Sequence, residues 1–193
     1  MIRSVYLAGP DVFLPDAEEL GRKKVELCLQ YGLDGLFPLD NAVEPAATPA
    51  SQGLAIYDAN VALMERADAI MANLTPFRGP SADAGTVFEL GYFAARGKPI
   101  YAYSSDVRPF AARTREHLGL PSGASADEAG STIEDFDMAD NLMLAGAVKA
   151  AGGAWVCRPA PPGGEIAALD AFRACLATLA ASAAVARPSV AAG

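Results

Sequence analysis

The chain has 193 residues, 52% of them hydrophobic, and a formal charge of 15 − 23 = −8. That length suits one domain with one sizeable core, and an acidic chain without a basic stripe argues against nucleic-acid polymers, anionic membranes and heavily phosphorylated substrates as partners. No apolar run reaches the roughly 20 residues of a bilayer span, and Met1-Ile2-Arg3 leads into strand-like sequence without a signal-peptide h-region, so a cytoplasmic protein is expected.

The elements alternate between strand and helix. A first strand over residues 4–8 ends at Gly9-Pro10. Asp16 opens a helix as a capping carboxylate, with Glu18 and Glu19 in the first turn and Leu20, Leu27 and Cys28 as a partial apolar face. A short strand near Leu36-Phe37 stops at Pro38, and an Ala/Pro-rich loop covers 40–51. In the next helix, 51–66, Leu54, Tyr57, Val61 and Met64 recur at helical spacing and predict a core face. Residues 69–74 read as a central parallel strand, apolar on both faces. A glycine- and proline-rich turn leads into a helix over 85–96, stopped by Gly97, and a strand over 100–103 follows. Residues 104–131 read as irregular and variable, 141–150 as helical and 155–157 as a last strand. Leu169, Phe172, Leu176 and Leu179 make the stripe of a final helix. Residues 1–182 therefore read as a single α/β domain, about five parallel strands with helices on both faces, and 183–193 as a frayed flexible tail.

In such a sheet, ligands sit beyond the carboxyl ends of the strands. The loops at those ends carry Asp11, Asp40, Asn41 and Asp83, groups suited to the hydroxyls of a neutral polar ligand such as a sugar; solvated loops carry the same residues. Neither Gly-x-Gly-x-x-Gly nor Gly-Lys-Ser/Thr occurs, so a cofactor held by its phosphates is not expected. Three scattered cysteines (Cys28, Cys157, Cys175) fit neither metal spacing nor a disulfide framework, and the single histidine, His117, reads as a loop residue without a catalytic role. No metal and no cofactor are expected.

Glu89 lies inside a helix among Phe88, Leu90 and Gly91, where a carboxylate is costly unless paired, protonated or useful. Two readings stand open. It occupies an exposed face or pairs with Arg78 or Lys98, or it attacks an anomeric carbon and forms a glycosyl ester. In the second case Tyr6, on the first strand, donates its hydroxyl to Glu89; otherwise Tyr6 is a core aromatic. Phe13 and Phe77 are candidates to stack on a base, or plain aromatics of core and loop.

Five segments in order resemble the nucleoside 2-deoxyribosyltransferases: Tyr6-Leu7-Ala8-Gly9-Pro10-Asp11-Val12-Phe13, Pro38-Leu39-Asp40-Asn41, Ala67 to Leu74, Pro76 to Gly91, and Asp140-Asn141-Leu142-Met143. The resemblance implies a flavodoxin-like doubly wound sheet and a ping-pong exchange of bases on a 2-deoxyribosyl group. It places Glu89 on the family's nucleophile, Asp83 on the carboxylate that contacts the substrate at its 5'-hydroxyl, and Tyr6 on the tyrosine that orients the nucleophile. Gly9, Asp11, Phe13, Asp40, Asn60, Phe77, Asn141 and Met143 are the substrate-binding candidates. Asn141 falls on an asparagine that reaches a neighbouring subunit's site in this family, which implies a homo-oligomer acting on deoxynucleosides and free bases.

One position departs from the family. Many members carry an aspartate where this chain has Asn60, although some members similar to it carry asparagine. Asn60 cannot deliver a proton to the leaving base, and Asp58 points about 200° round the helix from it; Asp83 or a water is left for that task. Two other functions stay open. One is hydrolysis of the N-glycosidic bond of nucleosides or their 5'-monophosphates, the latter disfavoured because the loop 9–16 is acidic and lacks arginine. The other is non-catalytic sensing of a nucleoside-like ligand.

Overall fold

The computed structural model describes residues 1–40 and 43–185, with side chains through 182. Asn41 and residues 186–193 of the expected tail lie outside the described residues. In chain order the elements are β1 (Ser4–Ala8), α1 (Ala17–Gln30), β2 (Asp34–Leu36), α2 (Pro49–Arg66), β3 (Ala69–Asn73), α3 (Ala84–Ala95), β4 (Ile100–Ser104), α4 (Phe110–His117), α5 (Leu142–Ala150), β5 (Trp155–Cys157) and α6 (Asp170–Val185). All strands are parallel, in the order β2-β1-β3-β4-β5. The order in which strands are added reverses between β1 and β3, so the loops after these two strands flank the switch-point crevice.

The period-2 alternation of the strands divides the core into two layers. Val5, Leu7, Met71, Tyr101 and Tyr103 face α1 and α6, packing on Leu27, Cys28, Phe172, Leu176 and Leu179. Tyr6, Ala8, Ile70, Ala72, Ile100 and Ala102 face the other way, onto Leu63 and Met64 of α2, Leu90 and Phe93 of α3, and Leu144 and Val148 of α5. Tyr6 is thereby aimed at α3.

Several local expectations need correction. Asp16 precedes α1 but its side chain makes no capping hydrogen bond. Helix α2 begins at Pro49, because Thr48 and Ser51 form a reciprocal capping box. Its expected core face is not core throughout: Met64 is buried and Val61 partly so, whereas Leu54 is 66% and Tyr57 49% exposed. The cause is length. Eighteen helical residues span about 27 Å, whereas a five-residue strand spans about 17 Å. Since α2 runs back toward the start of β3, its N-terminal half overhangs the carboxyl ends of the strands. The region 104–131 contains the helix α4, and His117 closes that helix. Helix α6 continues to Val185, past the expected boundary at 182. Among the described residues, no helix is long and apolar enough to cross a membrane.

Candidate active site

Tyr6 is completely buried, its ring stacked on Phe93 with centroids 6.0 Å apart. Its hydroxyl donates to Glu89 Oε1 at 2.5 Å. Burial and the neighbouring Glu89 charge push the phenol far above its usual range, so Tyr6 stays protonated and acts as a donor. Burial pushes the Glu89 carboxyl up to about 7; the Tyr6 hydrogen bond opposes the rise and the charge of Asp83 adds to it. Neither cation weighed from the sequence pairs with Glu89. Lys98 donates to the carbonyls of Met64, Glu65 and Ala67, and the Arg78 guanidinium lies over the rings of Phe13 and Phe77.

Glu89 opens into a cleft of about 250 Å³ between α2 and α3. Helix α3 contributes Phe88 and Glu89, and the overhanging half of α2 contributes Gly53, Ile56, Tyr57 and Asn60. Asn60 thus shares a cleft with the nucleophile candidate. Tyr57, assigned to the core from its spacing, is a wall of that cleft, in contact with Phe88 at a centroid distance of 6.0 Å. Asp83 is the N-cap of α3: its Oδ2 accepts from Thr86 N at 3.1 Å and Thr86 Oγ1 at 3.2 Å. Its Oδ1 accepts no hydrogen bond from the described residues and is available to a ligand hydroxyl.

Other candidates serve different ends. Asp11 is not offered to a ligand: it is buried, ion-paired to Lys24 Nζ at 2.8 Å and bonded by Asn73 Nδ2 at 3.1 Å. Loops with few partners of their own recruit such groups from neighbouring elements, here α1 and β3. Gly9 is extended and is required by crowding, since a Cβ there would lie 2.4 Å from Asp11 Oδ2 and 2.7 Å from Asn73 Cβ. Phe13 and Phe77 meet across the switch point, stacked with centroids 5.4 Å apart and planes within 10°. Phe13 remains 53% exposed. Asp40 is exposed at the end of the turn after β2 and does not line the Glu89 cleft. Asn141 caps α5: its Oδ1 accepts from Met143 N at 3.0 Å and its Nδ2 donates to Glu134 Oε2 at 2.6 Å. Met143 is 69% exposed. Among the described residues, no group of three or more His, Cys, Asp or Glu side chains is placed to hold a metal ion.

A sequence model described as nucleoside 2-deoxyribosyltransferase matches residues 5–143, the span that holds the sheet's switch point and every site candidate above. The chain belongs to this family. A solved 2-desoxiribosyltransferase from Leishmania mexicana is 35% identical, covers 74% of this chain and 85% of its own, and superposes with a TM-score of 0.59. The uncharacterized protein C191.05c of Schizosaccharomyces pombe is 34% identical over 165 residues, 77% of this chain and 78% of that one. A conserved protein from Enterococcus faecalis V583, 23% identical with a TM-score of 0.54, covers 83% of this chain and 92% of its own and shares the fold. Within this deoxyribosyltransferase-family chain, two buried groups were not singled out as site residues from the sequence: Arg113 and Asp140, both packed against the loop before Asp83. Asp140 adjoins Asn141 in the segment 140–143, which is its signal in the sequence; Arg113 has none.

Proposed function

We propose that this protein exchanges the base of 2'-deoxynucleosides through a covalent deoxyribosyl ester on Glu89. The observation that carries the reading is a carboxylate in a small cleft, oriented by a completely buried tyrosine hydroxyl at 2.5 Å. The Leishmania mexicana relative, named a 2-desoxiribosyltransferase, supports the same reaction class.

In the first half-reaction a Glu89 oxygen bonds to C1' as the C1'–N bond breaks, and the electron pair leaves with the base, which takes up a proton. Asn60 has no proton to give, so that proton comes from water or by way of Asp83. Tyr6 holds Oε1, leaving Oε2 to attack. The free Oδ1 of Asp83 accepts the 5'-hydroxyl, and Phe13, about half exposed beside Phe77 and Arg78, offers an aromatic edge to the base. In the second half-reaction a new base attacks C1', releases the carboxylate and gives up a proton. Water entering instead would give hydrolysis, so exclusion of water sets the product ratio. The exposure of Met143 beside the Asn141 cap is compatible with a second copy covering this face, and the proposed protein is a homo-oligomer acting in nucleoside salvage in the cytoplasm.

The test is incubation with deoxyinosine and adenine, with products resolved by chromatography and the protein by mass spectrometry. Deoxyadenosine, with a transient gain of one deoxyribosyl mass on the peptide holding Glu89, is expected. Free deoxyribose alone would make the protein a hydrolase, and binding without turnover would make it a sensor.

A further inference from the structure

We propose that Arg113 and Asp140 form a buried strap that positions residues 80–83, and through them the N-terminus of α3, for the reaction at Glu89. The inference rests on the reading of Glu89 given above and assigns a task to α4, the helix inside the segment that reads as irregular in sequence. Both residues are positioning residues; neither lines the Glu89 cleft.

Asp140 is completely buried and its carboxylate is saturated. Oδ1 accepts from Ser81 Oγ at 2.6 Å and from Asn141 N at 2.8 Å. Oδ2 accepts from Ala82 N at 3.1 Å and from Arg113 Nη2 at 3.2 Å. One side chain therefore ties the loop after β3 to the start of α5. Arg113 is buried to a similar degree and uses every nitrogen of its fork. Nε donates to Pro80 O at 2.8 Å, Nη1 to Arg108 O at 2.6 Å and Nη2 to Ala139 O at 2.7 Å.

Burying this much charge and directed bonding in an irregular region is a poor route to stability, because apolar packing of the same volume does as well or better. What a saturated charged network supplies is one geometry. Here that geometry belongs to Pro80, Ser81 and Ala82, which lead directly into Asp83, and Asp83 starts the helix that carries Glu89. A carboxylate that must meet a 5'-hydroxyl while another meets C1' tolerates little drift; a misplacement near 1 Å can cost about 100-fold in rate.

Three variants test the strap. Asp140→Asn keeps the shape but loses the charge that Arg113 faces. Arg113→Lys keeps the charge but cannot reach three carbonyls and a carboxylate together. Ser81→Ala removes one bond from the segment itself and guards against a variant that fails to fold. Kinetics are expressed per active site, counted by deoxyribosyl labelling. We expect kcat/KM to fall about 100-fold for the first two variants and about 5-fold for Ser81→Ala, with KM for the deoxynucleoside raised. The Ser81→Ala/Asp140→Asn double variant should lose less than the product of the two single losses, since both weaken the same strap, and fully multiplicative losses would count against a shared role. Hydrogen exchange of the 81–86 amides should quicken at least tenfold while β1 is unchanged. A lowered melting temperature with unchanged KM and unchanged kcat per active site would overturn the positioning role, as would unchanged exchange at 81–86. Wild-type protein that neither transfers nor hydrolyses would overturn the reading of Glu89, while the exchange data would still report separately on whether the strap holds this segment.

Discussion

Tyr6 and Glu89, 83 positions apart in the chain, meet at 2.5 Å because β1 aims alternate side chains at α3. The bond holds one carboxylate oxygen of a side chain that lines the cleft. Glu89→Ala should abolish both transfer and hydrolysis. Tyr6→Phe keeps the ring that packs on Phe93 and removes only the donor. It should lower kcat by about 10- to 100-fold with a smaller change in KM, the scale expected when a reacting group loses its orienting partner. Steady-state kinetics on deoxyinosine check this, and a Tyr6→Phe variant with wild-type kcat would remove the tyrosine from the mechanism.

In the proposed reaction Glu89 must be ionised to attack. Burial, aided by the charge of Asp83, pushes its carboxyl up to about 7, against the pull of the Tyr6 hydroxyl. The rate of the first half-reaction should therefore fall about tenfold per pH unit below this value and level off above it. Removing the hydroxyl in Tyr6→Phe should move the acid limb to higher pH, and Asp83→Asn should move it to lower pH. Single-turnover pH profiles of the three proteins decide the matter. An acid limb in the ordinary glutamate range would contradict the buried setting of Glu89.

The same shift has a consequence for stability. The folded carboxyl sits at about 7 against a reference of 4.5, so the folded chain keeps a proton that the unfolded chain releases. The associated stabilisation is complete below the unfolded value and is lost as pH rises through the folded one. Glu89→Gln cannot ionise and keeps an acceptor for Tyr6. Near pH 8 it should be more stable than wild type by about 2 kcal/mol, with the gap closing toward pH 4.5. Urea titrations at both pH values test this. Equal stability of the two proteins at pH 8 would mean that the ionised carboxylate bears no penalty in the fold, contrary to its half-buried position.

The sequence exposed the sheet and drew attention to Glu89 because both depend on patterns that survive in one dimension, whereas the choice of Tyr6 as its partner came from the family resemblance. Apolar runs bounded by Gly and Pro mark the strands, and a carboxylate inside an apolar helix is conspicuous. Other features depended on partners that periodicity does not name. The stripe Leu54, Tyr57, Val61, Met64 shows which face of α2 is apolar, but the overhang past the strand ends decides that Tyr57 walls a cleft. Asp11 in a loop looks like any solvated carboxylate until α1 brings Lys24 beneath it. The eight residues of α4, Phe-Ala-Ala-Arg-Thr-Arg-Glu-His, have too little apolar content to mark a helix; Arg113, bonded into the neighbouring loops, anchors it.

Lys24 and Asp11 give the last test, on the opposite side of the sheet from Glu89. Both side chains are almost fully buried and lie 2.8 Å apart. Lys24 Nζ also donates to Tyr103 Oη at 2.7 Å and lies 5.4 Å from the ring centres of Tyr103 and Phe172. Removing either partner strands the other's charge in the core, which costs about 3–5 kcal/mol. Lys24→Met and Asp11→Asn should each lose that order of stability, while Lys24→Met combined with Asp11→Leu should recover much of it, because the desolvation of both charges is then relieved. Gly9→Ala should lose about 1–3 kcal/mol, since its Cβ would overlap the Asp11 carboxylate. Because Asp11 and Asn73 join the loops after β1 and β3, single variants that still fold should also bind base more weakly through a displaced Phe13. Urea titrations and base-binding calorimetry read the two effects separately, and single variants as stable as wild type would show that this ion pair does not hold the switch-point loops together.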